Sequence, residues 1–190
     1  MEIPENVGVK PYFDEYIPKI FAEQTSGGAV LGLDGTEIKV QFDFTDGAQQ
    51  SYGLIVKDAK ELEVKEGPID APTVKLGMSE EVFRRAVTGK LQGATDRFTD
   101  VSQITRNRYD QLQSTKGTLV LDLSTSEGSN AEVKVTFNGA DSPETTFRCS
   151  VEDWVAMNNG ELAGPTAFMS GKLKIEGDMP FAMSLASLVG

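Results

Sequence analysis

The sequence contains no histidine and only one cysteine, Cys149. The lack of histidine excludes Ser-His-Asp and Cys-His catalysis, zinc sites built on imidazole, and the commonest general base. A single cysteine excludes an internal disulfide framework and any metal cluster held by several thiolates. We therefore predict no catalytic residue, no metal site and no cofactor.

Long hydrophobic runs are also missing. No apolar stretch reaches the roughly 18 residues that a membrane-spanning helix needs. The first ten residues, Met1–Lys10, are polar and slightly acidic, which does not fit the apolar core of a secretory signal. We expect the protein to reside in the cytoplasm.

Basic residues are outnumbered throughout the chain, which has a net charge of −11. Residues 1–95 hold 10 Lys+Arg against 16 Asp+Glu, and residues 96–190 hold 8 against 13. Neither half offers a basic face for phosphates, so we predict no nucleic-acid partner. The same charge disfavours strong attraction to anionic lipid surfaces, so we expect membrane contact to be transient at most.

Alternation of apolar and polar residues dominates the first half. Thr36–Asp46 alternates most cleanly, and further strands are predicted at Ser51–Lys57, around Leu62 and Val64, and at Thr73–Met78. Short turns make the first three an antiparallel meander. Ser79 then caps a helix that Gly89 ends. Ahead of the strands, Pro11–Gln24 has helical spacing that Pro18 interrupts, so we expect a helix start or a kink near Tyr16–Ile17.

The second half repeats this pattern after a polar helix predicted at Asp100–Gln113. Three further segments alternate with period two: Leu119–Leu123, Val133–Phe137 and Thr145–Cys149. Ser150 is positioned to cap a second helix. A last short strand, Lys172–Ile175, is predicted between two glycines.

The two strand–helix units coincide at an offset of 71 positions. The shift carries Pro72, Ser79, Glu81, Phe83, Gly89 and Leu91 onto Pro143, Ser150, Glu152, Trp154, Gly160 and Leu162. We interpret this as an internal repeat; the alternative is chance similarity of two generic units. We predict an α+β fold, internally duplicated, with mostly antiparallel sheet and helices covering one face. Residues 1–95 form the first repeat, and residues 96–190 the second.

The chain closes with an apolar stretch, AFMSGKLKIEGDMPFAMSLASLV. Asp178 is a plausible helix N-cap and Pro180 suits the first turn. From Phe181 to Val189 only two serines interrupt the apolar residues. Such a helix should be covered on most sides or close over something apolar. Two interpretations stay open: a terminal helix that completes the core, or a lid held by a glycine hinge.

Four blocks of this sequence resemble the sterol carrier protein 2 family of lipid-binding domains. GKLKIEGD followed by an apolar terminal helix is the most specific of them. The blocks are Phe42–Gly67, Ala71–Leu91, Phe147–Leu162 and Ala167–Val189. The first repeat lacks the last strand and terminal helix of a family domain. Two arrangements follow: tandem domains with the first truncated, or one composite unit whose first half borrows an element from the second. We favour two intimately packed repeats.

The resemblance implies non-covalent binding of a lipid, such as a fatty acid, acyl-CoA, sterol, phospholipid or isoprenoid. A sheet with one apolar face needs a cover, and an incomplete closure would leave an apolar tunnel in the second repeat. The predicted lipid-binding residues are Leu119, Leu121, Val135, Phe137, Phe147, Trp154, Met157, Phe168, Met169, Met179, Phe181, Leu185 and Leu188. The methionines, with Met183, suit a flexible wall, although each also fits an ordinary core position.

Other chemistry has weaker support in the sequence. Cys149 continues an alternating strand, which favours a buried structural thiol over a nucleophile. Glu152 and Asp153 fall in a helix first turn, where solvated negative charge is favourable. Lys172 and Lys174 either meet a lipid head group or are solvated edge-strand lysines. The alternative function is a protein-interaction scaffold with a collapsed tunnel; the sequence does not specify the oligomeric state.

Overall fold

One eight-stranded mixed sheet runs through both halves of the chain in a computed structural model, which describes residues 3–26, 32–47, 50–89, 91, 104–126 and 128–189. Its strands follow the spatial order β3-β2-β1-β4-β6-β5-β7-β8. Their bounds are Glu37–Phe44 (β1), Ser51–Lys57 (β2), Glu61–Glu66 (β3), Val74–Met78 (β4), Gly117–Ser124 (β5), Asn130–Phe137 (β6), Glu144–Ser150 (β7) and Lys174–Gly177 (β8).

Helices precede and follow the strands of each half. A helical segment opens the chain, with a π-helical stretch, Tyr12–Tyr16, between two α-helical parts. The α-helices among the described residues are Val9–Pro11 (α1), Ile17–Thr25 (α2), Glu80–Val87 (α3), Arg106–Ser114 (α4), Val151–Asn158 (α5), Gly164–Met169 (α6) and Met179–Val189 (α7). The change from π to α geometry between Tyr16 and Ile17 lies where a helix start or kink was predicted. Proline supplies no N–H for a helical hydrogen bond.

The pairing of β4 with β6 joins the two halves. The strands are antiparallel, with Leu76 opposite Val135 and Val74 opposite Phe137. β1–β4 and β5–β7 are the parallel pairs. The sheet therefore continues across residue 95, where we predicted a boundary. The division into two repeats stays a prediction.

Helices α3 and α5 begin and end with matching geometry. Ser79 accepts a hydrogen bond from the amide of Val82, and Ser150 accepts one from Asp153. At the other end, the amides of Leu91 and Leu162 reach back to carbonyls six residues earlier, each at 3.0 Å. These contacts satisfy terminal groups that a helix cannot satisfy internally. They also coincide at the offset of 71 found in the sequence.

Two predicted elements begin later than expected. The closing strand starts at Lys174, because the amides of Lys172 and Leu173 both donate to the carbonyl of Ala167 and so finish helix α6. Helix α4 begins at Arg106, with Thr105 as its cap, whereas we predicted a start at Asp100. Residues 100–103 of that prediction lie outside the described residues.

Candidate functional site

The helix-facing side of β5, β6 and β7 is a continuous apolar surface. Alternate residues point to this side, since side chains directly opposite each other in paired strands share a face. Their side chains are at most 5% exposed: Leu119, Leu121, Val135, Phe137 and Phe147. All five were predicted as lipid-contacting residues, and the structure brings them together in one cluster.

Helix α5 lies over this surface. Trp154 is 2% exposed and belongs to the same buried cluster, and Met157 packs against it while partly buried. Ser150 caps the helix by accepting a hydrogen bond from the amide of Asp153. The position of this cap determines where the helix begins, and so places Trp154 against the sheet. Trp154 and Met157, which were both predicted to contact lipid, therefore lie next to the five sheet residues.

Helix α6 turns one small residue inward. Ala167 is fully buried, whereas the next two residues, Phe168 and Met169, are 45% and 86% exposed. Both were predicted to contact lipid in a tunnel, but they lie on the surface. The reason is local: Ala167 takes the inward position, and its carbonyl accepts the amides that end the helix.

Helix α7 covers the apolar surface with one side. Asp178 accepts a 2.7 Å hydrogen bond from the amide of Phe181, as predicted for its cap. Phe181, Ala182 and Leu185 are 6%, 3% and 0% exposed. The helix is thereby fixed against the second half of the sheet.

The other side of α7 is exposed, which differs from the prediction made from its apolar sequence. An apolar helix was expected to be covered on most sides, yet Met179 is 40% and Met183 is 61% exposed. Met179, a predicted lipid contact, therefore lies outside the buried cluster. The side chain of Leu188, another predicted contact, lies outside the described residues.

Two positions next to α7 have room only for glycine. A Cβ atom on Gly117 would lie 2.7 Å from Cζ of Phe181 and 2.6 Å from the carbonyl oxygen of Pro143. A Cβ atom on Gly177, whose φ is +96°, would lie 2.5 Å from the carbonyl oxygen of Glu144. Larger residues would collide with backbone at both positions. The ring of Phe181 thus rests directly on the start of β5.

Equivalent positions in the two halves hold side chains of different size. Register aligns Phe42, Tyr52 and Leu76 in the first half, and Leu121, Val133 and Phe147 in the second. In the first half Phe13 enters this space, fully buried, with ring centroids 4.5 Å from Tyr52 and 5.1 Å from Phe42. The first half is therefore closed by its own aromatic side chains. The second presents mostly smaller aliphatic groups beneath α7.

Lys172 lies on the helix side of the fold. Its ammonium donates a 2.8 Å hydrogen bond to Asp153 in the first turn of α5. This bond lowers the pKa of the Asp153 carboxyl below its ordinary value. Lys172 and Lys174 were both predicted to project from the closing strand. Lys174 belongs to β8, but Lys172 precedes it. Asp153, which was expected to be solvated, is partly buried and paired.

Cys149 is buried, 7% exposed, as the alternation of β7 predicted. Burial raises the pKa of its thiol to about 12, so the sulfur stays protonated at neutral pH. Among the described residues, no group of three or more His, Cys, Asp or Glu side chains could hold a metal ion. No helix in the described ranges has both the length and the apolar character required to cross a membrane.

Sequence reasoning missed part of the buried surface. Leu173 is 5% exposed although it precedes β8, and Ala167 and Ala182 are buried on α6 and α7. Leu173 could have been found from its place between two lysines. The alanines carry no signal, because the sequence alone does not indicate which side of an apolar helix faces inward.

Comparison with known proteins gives one family match and similarity to curated relatives. Residues 98–190 match the model of the SCP-2 sterol transfer family. Over 125 residues the chain is 31% identical to hydroxysteroid dehydrogenase-like protein 2 of Pongo abelii, covering 66% of this chain and 28% of that protein. The chain thus spans little more than a quarter of that relative's length.

Two solved structures also align with parts of the chain. Sterol carrier protein 2 like 2 of Aedes aegypti is 26% identical, with a TM-score of 0.33, covering 39% of this chain and 74% of that one. The sterol carrier protein domain 2 of Helicoverpa armigera is 28% identical, with a TM-score of 0.37, covering 54% and 84%.

Proposed function

We propose that this chain is a non-catalytic carrier of the SCP-2 sterol transfer family, whose model residues 98–190 match, and that its lipid lies between β5–β7 and helix α7. The match to the family model carries the proposal. The ligand class is a molecule with a long apolar body: a fatty acyl chain, sterol, phospholipid or isoprenoid. The lipid occupies a tunnel that forms when α7 moves outward from the sheet.

The difference in side-chain size supports placing the lipid in the second half. Phe13 fills the first half by stacking on Tyr52, which leaves that core closed. Leu121 and Val133 hold the matching positions of the second half, where a ligand can replace the contacts made by α7. We therefore propose one lipid per chain.

The energetics favour such an exchange. Each buried methylene contributes roughly 0.8 kcal/mol, so a sixteen-carbon chain gains about 12 kcal/mol before ordering costs are subtracted. Opening α7 exposes mainly Phe181 and Leu185, at roughly 1.5–3 kcal/mol each. The gain exceeds this loss by roughly 6 kcal/mol or more, and the cost of ordering the ligand is subtracted from that difference.

Two neighbouring positions of α7 provide a matched test. Leu185→Asp places a carboxylate against the apolar sheet, whereas Met183→Asp places it on the exposed side of the same helix. We expect the wild type and Met183→Asp to bind a fluorescent fatty acid or sterol added from ethanol. We expect Leu185→Asp to lose at least tenfold in affinity while the first half keeps its near-UV circular dichroism.

Uptake that is unchanged in Leu185→Asp would place the ligand elsewhere. No uptake by the wild type, together with a lipid-free mass in native mass spectrometry, would contradict the carrier proposal. The second candidate, an interaction scaffold, is favoured by the exposed Met169 and Met183. Lipid-independent recovery of a partner protein would distinguish it.

A further inference from the structure

In the part of the chain that the structure describes, the large hydrophobic side chains with substantial exposure are confined to one segment. Within the described ranges, the large hydrophobic side chains with substantial exposure are Phe168, Met169, Met179 and Met183, all within sixteen consecutive residues. Isolated exposed apolar residues are common on protein surfaces, whereas several that lie together are typical of a binding surface.

The same segment is free of net charge in a strongly acidic protein. Neither α6 nor α7 contains a charged residue. Residues 162–190 hold two lysines, one aspartate and one glutamate, so the net charge of −11 lies entirely in residues 1–161. Exposed apolar side chains without neighbouring net charge thus belong to a strongly acidic protein.

We propose that the outer sides of α6 and α7 dock on a zwitterionic lipid bilayer. Met179 and Met183 are four residues apart and so lie on the same side of α7, opposite Phe181 and Leu185. Flexible apolar side chains on an interfacial helix enter the boundary between head groups and acyl chains. The inference rests on the proposed function, because docking would bring α7, the helix that opens, into contact with the bilayer that supplies the lipid.

The net negative charge of the protein favours a zwitterionic bilayer over an anionic one. An anionic bilayer would repel the acidic body, whereas a phosphatidylcholine surface has no net charge to oppose it. Docking therefore depends on apolar burial and should persist at high ionic strength, where electrostatic attachment is screened.

The test is flotation with phosphatidylcholine vesicles at 0.1 M and 0.5 M salt. Met183→Asp and Met169→Asp each add one charge to the docking surface. Ala71→Asp adds the same charge to an exposed loop residue whose φ is +47°, a conformation that aspartate tolerates. We expect the wild type and Ala71→Asp to float at both salt concentrations. We expect both methionine variants to lose about tenfold or more of the bound fraction.

Each alternative outcome has a separate meaning. Equal flotation of all variants, or none of the wild type, overturns docking through this surface. A concentration-dependent dimer that Met183→Asp abolishes, without flotation of the wild type, assigns the surface to a second copy and also overturns it. Uptake of lipid from ethanol is measured in parallel. If uptake persists without flotation, docking alone fails; if uptake is absent in the wild type, the carrier proposal fails.

Discussion

Replacing Phe181 by alanine should free helix α7 without unfolding the rest of the protein. The ring is 6% exposed and rests on the backbone of Gly117. Phe→Ala substitutions at buried positions cost about 3–5 kcal/mol. If α7 opens as a separate unit, that cost falls on its local opening equilibrium. A loss of about 3 kcal/mol corresponds to a more than 100-fold increase in the open population.

Native-state hydrogen exchange measures this directly. Amides of α7 should exchange at least 100-fold faster in Phe181→Ala, while the amide of Tyr52 in the first-half core should keep its protection. Met183→Ala is the matched control on the exposed side of the helix, and should change the same amides by about twofold or less. If exchange of the Tyr52 amide is accelerated as much as that of the α7 amides, the helix does not open separately from the rest of the protein. It then cannot admit a lipid by moving alone.

Three further predictions concern the surroundings of this helix. Gly177→Ala should lower the free energy of unfolding by more than Gly171→Ala, because both have positive φ but a Cβ atom meets backbone only at Gly177; thermal denaturation compares them. Lys172→Met should raise the pKa of Asp153 toward its ordinary value, as followed by NMR titration. The stability difference between wild type and variant, below about 1 kcal/mol at pH 7, should disappear as the pH falls through the lowered pKa of the Asp153 carboxyl, because the ion pair stabilises only the ionised carboxylate. Cys149 should react with a thiol reagent at pH 8 only as fast as the protein opens, because burial raises its pKa to about 12; rapid reaction in the native state would refute this.

Alternation in the sequence was sufficient to predict most of the strands. Ile38, Val40, Phe42 and Phe44 share one side of β1 because period two determines the direction of a strand side chain. Serine caps were equally predictable, since Ser79 and Ser150 satisfy amides that any helix start leaves free. These features depend on neighbours within a few residues.

Features that depend on distant contacts could not be predicted in the same way. Nothing in the alternation of β4 indicates that Leu76 pairs with Val135 of the other half. The start of β8 was misplaced because the carbonyl of Ala167 binds the amides of Lys172 and Leu173. The apolar composition of α7 likewise did not reveal that one side stays uncovered. Each outcome depends on which surfaces the folded chain brings together.

The location of the lipid is the central claim, and photo-crosslinking tests it most directly. A fatty acid carrying a diazirine would be bound, irradiated and mapped by peptide mass spectrometry. We predict adducts in the peptides that contain Leu119–Leu123 and Phe181–Leu185, suppressed by an excess of unlabelled lipid, and none at Phe13 or Tyr52. Saturable adducts at Phe13 or Tyr52, with none beneath α7, would contradict the account.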